Sequence, residues 1–324
     1  MHPLLAFLLV AVGILVLGYG GDLLVRGAVT IAKAARVAPA VIGLTIVSMG
    51  TSLPELTVSL AASFRGVTDI AVGNVVGSNI FNVCVVLGVA ALLMPMRVHG
   101  SAVKLEWPFM FLASFQLLLL ARDGVVDRLE GGFFVVGLAL FTAYAVRLGR
   151  TEVVGEEASD LEREVSSFEA RGPDRTVGGA LLLITGGIVL LVVGGEVLVR
   201  GAVSLARAAG LTERIIGLTI VAVGTSAPEL ATSIVAARRG QSEIALGNVI
   251  GSNIFNVLAI VGVTAVVRPL PVSDAMLSSD IWWMLATSLA LFPMMRSRFI
   301  VGRLEGGTLL AAYVLYVTLL IRGG

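Results

Sequence analysis

The chain has 324 residues, of which 57% are apolar and 14% are charged, and its mean hydropathy is +0.97. This composition excludes a soluble domain, whose surface requires more charged side chains. The formal net charge of +1 gives no indication of nucleic-acid binding, and the single cysteine, Cys84, excludes an internal disulfide framework. The chain is therefore predicted to be a polytopic membrane protein in which Cys84 packs between helices.

Apolar segments of about the 20 residues that an α-helix needs to cross a bilayer recur along the whole chain. The ten predicted spans are residues 4–32, 39–64, 70–94, 102–121, 130–148, 176–206, 213–237, 244–267, 276–295 and 304–321. No Lys or Arg precedes the first span and no small-residue cleavage pattern follows it, so we expect it to remain in the protein and not to be removed as a signal peptide.

The two halves of the chain repeat one another. The segment GLTIVSMGTSLPELTVSLAAS at 43–63 returns as GLTIVAVGTSAPELATSIVAA at 217–237. The segment DIAVGNVVGSNIFNV, which begins at Asp69, returns as EIALGNVIGSNIFNV, which begins at Glu243. The repeat therefore extends over both the second and the third predicted span of each half.

Each copy contains five predicted spans, which is an odd number, so the second copy enters the membrane from the opposite face. The sequence predicts an all-α fold of two inverted five-helix repeats, 1–148 and 176–324, with broken second, third, seventh and eighth helices and a linker at 149–175. Inverted repeats with interrupted helices are a plan of secondary transporters, which bind their substrate near the midplane where the repeats meet.

The basic residues of the connecting loops predict the orientation. One set of alternate loops, which includes the 149–175 linker, holds about twice as many Lys and Arg residues as the other set. Both termini are therefore predicted to lie outside and the linker in the cytoplasm. The acidic residues of the linker are open to two interpretations, a cation sensor or a solvated connection with a short surface helix, and the second is favoured.

The motifs GTSLPE at 50–55 and GTSAPE at 224–229 combine a proline with small and hydroxyl residues. A proline inside a helix has no N–H to donate and clashes with the carbonyl four residues earlier, so the helix is predicted to break there. A freed carbonyl is tolerated at membrane depth only inside protein or beside a wet cavity, which makes the break a place for a bound cation.

Two carboxylates, Glu55 and Glu229, follow these breaks at a depth where a charge needs a counter-ion. Thr51 and Ser52 add hydroxyl oxygens nearby. Because the donors are all oxygen, without His or thiolate, the sequence predicts Ca²⁺ and Na⁺ as the bound ions and not zinc or copper. The alternative is a buried structural pair of glutamates, against which the absence of a nearby Lys or Arg argues.

The second motif supplies further neutral oxygens. Ser78 and Asn82, like Ser252 and Asn256, are four residues apart and share one helix face. The four remaining asparagines have two interpretations, as the lining of an ion path or as caps and interhelical hydrogen bonds, and both stay open; they are Asn74, Asn79, Asn248 and Asn253.

Charges elsewhere in the spans have a structural interpretation. Asp22 and Arg26, like Glu196 and Arg200, are four residues apart, so an ion pair within one helix is expected to make their burial tolerable. For His99 no role is expected.

With these motifs the chain resembles the cation/calcium exchangers, and in particular the prokaryotic sodium/calcium exchangers. The family carries G-T-S-x-P-E on its second and seventh helices and G-S-N-I-F-[ND] on its third and eighth, and both copies match here. The resemblance covers nearly the whole chain and implies a multi-pass protein of the prokaryotic inner membrane, with ten helices and with ions between those four. It also implies calcium and sodium sharing Glu55 and Glu229.

The remaining ligands are implied by the resemblance alone. Thr51 and Thr225 would contribute backbone and side-chain oxygen, and Asn82 and Asn256 would face the central position. The flanking sodium sites would be completed by the side chains of Ser52, Ser78, Ser226 and Ser252 and by the carbonyls of Ser48 and Ala222.

Asn256 departs from several relatives, which carry Asp at its position. Potassium-dependent relatives use an aspartate there, so Asn256 argues against potassium transport. Proton-coupled calcium relatives carry an acid soon after the Gly-Asn of their motif, and GNVVG at 73–77 has none.

The function predicted is therefore a secondary active antiporter that exchanges Na⁺ for Ca²⁺ by alternating access. The alternatives are an H⁺/Ca²⁺ antiporter and a cation channel. No enzymatic activity is expected, because a membrane protease would need a serine with a histidine base, or two aspartates, at the repeated motifs. Ca²⁺ and Na⁺ are expected as substrates and the lipid bilayer as the environment, with no cofactor and no obligatory protein partner.

Overall fold

The computed structural model describes residues 3–35, 37–66, 68–151, 176–208 and 222–323. Most of the predicted linker and the first part of the predicted seventh span lie outside these described residues.

The first half consists of long apolar helices and short connections. Its elements are α1 (Pro3–Ala35), α2 (Pro39–Thr51, π-helical over Gly43–Val47), α3 (Leu53–Phe64), α4 (Thr68–Phe81), a π-helical segment (Asn82–Val86), α5 (Leu87–Leu93), β1 (Met96–Arg97), a π-helical segment (Ala102–Glu106), α6 (Trp107–Leu120), a 3-10 turn (Ala121–Asp123), β2 (Val125–Val126) and α7 (Arg128–Thr151).

The second half follows the same order. Its elements are α8 (Val177–Ala208), α9 (Ala222–Thr225), α10 (Ala227–Arg238), α11 (Ser242–Phe255), a π-helical segment (Asn256–Val261), α12 (Gly262–Val267), β3 (Leu270–Pro271), a π-helical segment (Met276–Asp280), α13 (Ile281–Arg298), β4 (Ile300–Val301) and α14 (Arg303–Gly323).

Within the described residues, 7 helices are long and apolar enough to cross a membrane, or 8 if the bent pair α2 and α3 forms one span. They coincide with eight of the predicted spans. The other two predictions are the seventh span, which lies partly outside the described residues, and the ninth, where α13 is 18 residues long but is not among these candidates.

The second helix is broken where the proline motif predicts it. α2 ends at Thr51 and α3 begins at Leu53, and the two are bent by 44°. Pro54 lies in the first turn of α3, where a missing N–H costs least. The same break separates α9 from α10 at Ser226, with Pro228 in the first turn of α10.

The prediction that the third and eighth helices are broken is wrong. α4 continues into α5, and α11 into α12, through the π-helical segments that begin at Asn82 and Asn256. Neither stretch contains a proline, so each backbone N–H can still find a carbonyl in the same helix. A π-helical turn widens the helix locally and is often found at functional sites.

The helices α1 and α8 pack along most of their length through glycines. A Cβ atom built on Gly20 would lie 3.0 Å from the carbonyl oxygen of Gly187, and one built on Gly187 would lie 2.8 Å from that of Gly20. Small residues of this kind let membrane helices approach closely. The pair α1 and α8 lies at the outside of the bundle, with 28% of each apolar window buried, whereas 78% and 83% are buried in the central helices α4–α5 and α11–α12.

Two short antiparallel ribbons join the halves. β1 pairs with β4, with Met96 opposite Val301, and β2 pairs with β3, with Val126 opposite Leu270. Each ribbon therefore connects a loop of the first half to a loop of the second half.

Candidate functional site

The two repeated carboxylates lie at the centre of the molecule. Glu55 and Glu229 occupy the first turns of α3 and α10, and the two side chains are 0% and 1% exposed. The N-terminus of a helix carries a partial positive charge, which favours a carboxylate at this position. The break in each helix thus creates the place in which its glutamate is held.

Each carboxylate is bound by a serine from the other half. The hydroxyl of Ser226 donates to Oε1 of Glu55 at 3.0 Å, and the hydroxyl of Ser52 donates to Oε1 of Glu229 at 2.9 Å. Both serines stand at the breaks that the proline motifs create. The two breaks therefore face one another, and neither half forms the site alone.

At the centre, four buried carboxylate and amide oxygens have no hydrogen-bond partner among the described residues, and neither has the hydroxyl oxygen of Ser252. The four are Oε2 of Glu55, Oε2 of Glu229, Oδ1 of Asn82 and Oδ1 of Asn256. The π-helical segment that starts at Asn82 packs against α10, and the one that starts at Asn256 packs against α3. Buried polar atoms without partners cost free energy, and carboxylate and amide oxygens are ligands of hard cations. The donor set fits Ca²⁺ or Na⁺ as a bound substrate.

Hydroxyl groups surround the carboxylates. The hydroxyls of Thr51 and Ser252 lie close to the carboxylate of Glu229, and the hydroxyl of Thr225 lies close to that of Glu55. The hydroxyl oxygens of Ser78 and Ser226 are 3.1 Å apart. The structure thus brings these hydroxyl residues to the same centre as the glutamates.

The resemblance also implies two backbone carbonyls as ligands, those of Ser48 and Ala222. The carbonyl oxygen of Ser48 accepts hydrogen bonds from the backbone N–H of Ser52 at 3.0 Å and from the hydroxyl of Thr51 at 3.2 Å. Ala222 begins α9, and its side chain lies outside the described part of the chain.

The asparagines that follow the glycines of the second motif hold the broken helices. Asn74 Nδ2 donates to the carbonyl oxygen of Glu55 at 3.2 Å, while its Oδ1 is 3.5 Å from the hydroxyl of Thr225 in the other half. Asn248 donates in the same way to the carbonyl oxygen of Glu229 at 3.3 Å, and its Oδ1 is 3.2 Å from the hydroxyl oxygen of Thr51. Of the two interpretations, the structure supports interhelical hydrogen bonding for both asparagines.

The ion pairs predicted within helices are confirmed. Arg26 lies 2.8 Å from Asp22, and Arg200 lies 2.6 Å from Glu196. Asp22 also accepts a hydrogen bond from Arg239 at the end of α10, a contact that no local pattern in the sequence predicts. Its two arginines come from different helices, and only one of them is near Asp22 in the sequence.

The expectation of no role for His99 is wrong. Its Nε2 lies 2.7 Å from Oε1 of Glu243, a residue that is 8% exposed. The other carboxylate oxygen, Oε2, accepts from the backbone N–H of Ala40 at 3.3 Å. Glu243 therefore links three elements, the loop before α6, the start of α11 and the start of α2. The only sequence signal was that Glu243 opens the second motif.

Two further predictions concern the kind of metal ligand and the packing of Cys84. No cluster of three or more His, Cys, Asp or Glu side chains occurs among the described residues. Cys84 is 0% exposed in the core beside α5, as expected of a packing residue.

Comparison with known proteins finds likeness over both halves of the chain. The sodium/calcium exchanger protein family matches residues 5–147 and 179–322. The chain is 34% identical over 342 residues to the sodium/calcium exchanger MaX1 of Methanosarcina acetivorans, which covers 97% of this chain and 98% of MaX1. It is 36% identical over 286 residues to the inner membrane protein YrbG of Escherichia coli K12, which covers 88% of this chain and 87% of YrbG.

A solved structure has the same fold. The sodium-calcium exchanger NCX_Mj, soaked with Na⁺ and Ca²⁺, matches this chain with a TM-score of 0.82 at 30% sequence identity, over 97% of this chain and 98% of NCX_Mj. The ranges matched by the family, 5–147 and 179–322, include both segments that carry the buried glutamates.

Proposed function

The chain belongs to the sodium/calcium exchanger family, and from that premise we propose that it is a secondary active antiporter that exchanges Na⁺ for Ca²⁺ by alternating access. Family membership makes it a multi-pass membrane protein that exchanges Ca²⁺ for another cation. The choice of Na⁺ as that cation, the site and the topology are our proposals.

The observation that carries the proposal is the group of four buried carboxylate and amide oxygens without partners at the meeting point of the two halves. Two carboxylates balance the charge of one Ca²⁺, and the amide oxygens of Asn82 and Asn256 extend the ligand set without adding charge. A hydrogen bond from a serine leaves one oxygen of each carboxylate free for the ion.

The hydroxyl groups next to each carboxylate suit Na⁺. An ion with a single charge can be bound by neutral oxygens together with one carboxylate, even when that carboxylate also serves the calcium site. We assign to the calcium and sodium sites together the side chains or carbonyls of Glu55, Glu229, Thr51, Thr225, Ser52, Ser226, Ser78, Ser252, Asn82, Asn256, Ser48 and Ala222. Because the two ions share the glutamates, they compete, and competition for shared ligands couples the two fluxes.

We propose that the chain has ten spans in two inverted repeats, 1–148 and 176–324. The hydrogen bonds support this arrangement, since Ser52 and Ser226 make equivalent contacts in opposite directions. The ribbons support it too. In this topology β1 and β4 lie at the cytoplasmic face, and β2 and β3 lie at the outer face, so each observed pair joins loops on one side.

The orientation in the prokaryotic inner membrane remains the one that the basic loops predict, with both termini outside and the 149–175 linker in the cytoplasm. For alternating access, we propose that α1 and α8 move together across the other helices. Their close glycine packing, in which Gly20 and Gly187 face one another, supports their motion as one unit.

Counterflow in proteoliposomes tests the function. Protein is reconstituted, and uptake of ⁴⁵Ca²⁺ is measured with an outward Na⁺ gradient, with an outward H⁺ gradient, and with neither. The Na⁺ gradient is expected to drive uptake and the H⁺ gradient alone to have no effect, with protein-free liposomes as the control. Uptake driven by H⁺ would make the protein an H⁺/Ca²⁺ antiporter, and uptake independent of either gradient would make it a channel.

A further inference from the structure

We infer that Asn79 and Asn253 are positioning residues of the cation site, which orient the amide groups of Asn256 and Asn82 so that both amide oxygens face the cation. The four side chains are between 0% and 3% exposed. The inference rests on the proposed function only in naming the ion, because the orientation itself follows from hydrogen bonds.

The backbone carbonyl of Asn253 can act in one way only, as a hydrogen-bond acceptor. Nδ2 of Asn79 lies 3.3 Å from the backbone carbonyl oxygen of Asn253. A carbonyl oxygen accepts and cannot donate, so the Asn79 amide must present its NH₂ to this carbonyl. Its Oδ1 then points the other way, where it lies 2.9 Å from Asn256. An acceptor at that position requires a donor from Asn256.

Asn256 must therefore direct its NH₂ towards Asn79. Its Oδ1 is left on the opposite side, and this is one of the four buried carboxylate and amide oxygens without a partner. If the Asn256 amide were reversed, two amide oxygens would face one another and the NH₂ group would face the cation. The backbone carbonyl of Asn253 thus orients the Asn79 amide, and the Asn79 amide determines which atom Asn256 directs to the site.

The second half repeats this chain of contacts. Nδ2 of Asn253 donates to the backbone carbonyl of Asn79 at 3.2 Å, and Oδ1 of Asn253 accepts from Nδ2 of Asn82 at 3.1 Å. Oδ1 of Asn82 is left without a partner. Asn79 and Asn253 therefore bind one another reciprocally, and each orients the ligand on the opposite helix.

The NH₂ groups of both positioning residues, Asn79 and Asn253, also contact the sulfur atom of a methionine. Nδ2 of Asn79 is 3.5 Å from Sδ of Met284, and Nδ2 of Asn253 is 3.6 Å from Sδ of Met110. Sulfur is only a weak acceptor, so it competes little with the carbonyls. Both positioning amides are thus satisfied at every polar atom, whereas the two amides that they orient each keep one oxygen free.

A double-mutant cycle on Ca²⁺ binding tests the inference. Saturable ⁴⁵Ca²⁺ binding is measured on the purified protein in detergent without Na⁺. Asn79→Ala is expected to weaken binding about tenfold, since it removes the acceptor that orients Asn256. In an Asn256→Ala background the same substitution should change the affinity less than about twofold, but in an Asn82→Ala background it should again weaken it about tenfold.

A matched control is Ser114→Ala. Within the described part of the chain, the buried hydroxyl that it removes donates to the carbonyl oxygen of Met110 in the same helix, at 3.0 Å. It is expected to leave the affinity for Ca²⁺ unchanged. If Asn79→Ala does not fold, Asn253→Ala gives the mirror-image test, in which Asn82→Ala is the coupled background and Asn256→Ala the additive one.

An equal effect of Asn79→Ala in all backgrounds would mean a general structural role and would overturn the inference. Absence of saturable Ca²⁺ binding to the wild-type protein would overturn it as well. Failure of the proposed function gives a different result. A protein that binds Ca²⁺ but does not exchange it for Na⁺ in proteoliposomes would still show the coupling of Asn79 with Asn256 in the double-mutant cycle.

Discussion

The hydroxyl of Ser52 donates a hydrogen bond of 2.9 Å to the carboxylate of Glu229, which belongs to the other half of the chain. Ser226 makes the equivalent contact with Glu55 at 3.0 Å. Each break in a helix therefore supports the carboxylate of the opposite break. A change at one of these four residues acts on both halves of the site.

Replacing either buried carboxylate is expected to abolish exchange. Glu55→Gln and Glu229→Gln each keep the shape of the side chain but remove one of the two negative charges that we propose to balance Ca²⁺. Sodium-driven ⁴⁵Ca²⁺ uptake in proteoliposomes should fall at least about a hundredfold. This corresponds to the free energy of about 3 kcal/mol that is lost with a charged ligand.

The matched control for this prediction is Glu196→Gln, because Glu196 is also a membrane carboxylate but is paired with Arg200 and is 59% exposed. Its uptake should stay within about twofold of the wild type. Uptake near the wild-type rate in Glu55→Gln would contradict the assignment of the site.

The close approach of α1 and α8 predicts different effects at two adjacent glycines. A Cβ atom at Gly187 would lie 2.7 Å from the backbone nitrogen of Leu24, whereas no described atom lies within 4 Å of one at Gly186. Gly187→Ala is therefore expected to destabilise the protein by about 1–3 kcal/mol through overpacking. Gly186→Ala should be neutral or slightly stabilising, because alanine favours a helix.

Thermal unfolding in detergent measures both glycine variants. Since the two residues are neighbours in one helix, an unspecific effect of the added methyl group would lower the melting temperature equally. Equal melting temperatures for Gly187→Ala and Gly186→Ala would rule out the tight packing of α1 on α8.

Glu243 contacts both His99 and the backbone of Ala40, so we expect substitutions at Glu243 and His99 to have coupled effects on stability. Glu243→Ala removes the partner of His99 and also the acceptor of the Ala40 N–H at the start of α2. It should lower the free energy of unfolding by about 1–3 kcal/mol, since a buried donor loses its acceptor. His99→Ala alone should have a smaller effect, because the Ala40 contact survives.

The double variant of this pair provides the check. In the Glu243→Ala background, His99→Ala is expected to add less than it does in the wild type, as determined by denaturant or thermal unfolding. Strict additivity of the two changes would mean that the contact between the imidazole and the carboxylate contributes no stability.

Much of the fold could be predicted because it depends on local features of the sequence. Proline lacks the N–H that a helix interior needs, so the break before Pro54 followed from the residue itself and is confirmed by the 44° bend. The ion pair of Asp22 with Arg26 followed from helix geometry in the same way. The third and eighth helices were predicted wrongly, because a glycine-rich and asparagine-rich helix without proline can absorb a π-helical turn and remain continuous.

The sequence by itself determined that this is a membrane protein with two repeats and a pair of buried carboxylates, because composition, periodicity and proline act within one segment. Only the tertiary structure decided which serine binds which glutamate, that Arg239 reaches Asp22, that His99 reaches Glu243, and which way the amides of Asn82 and Asn256 point. These contacts join residues far apart in the chain. A hydrogen bond of this kind depends on which helix faces which, and that is settled only when all the helices pack together.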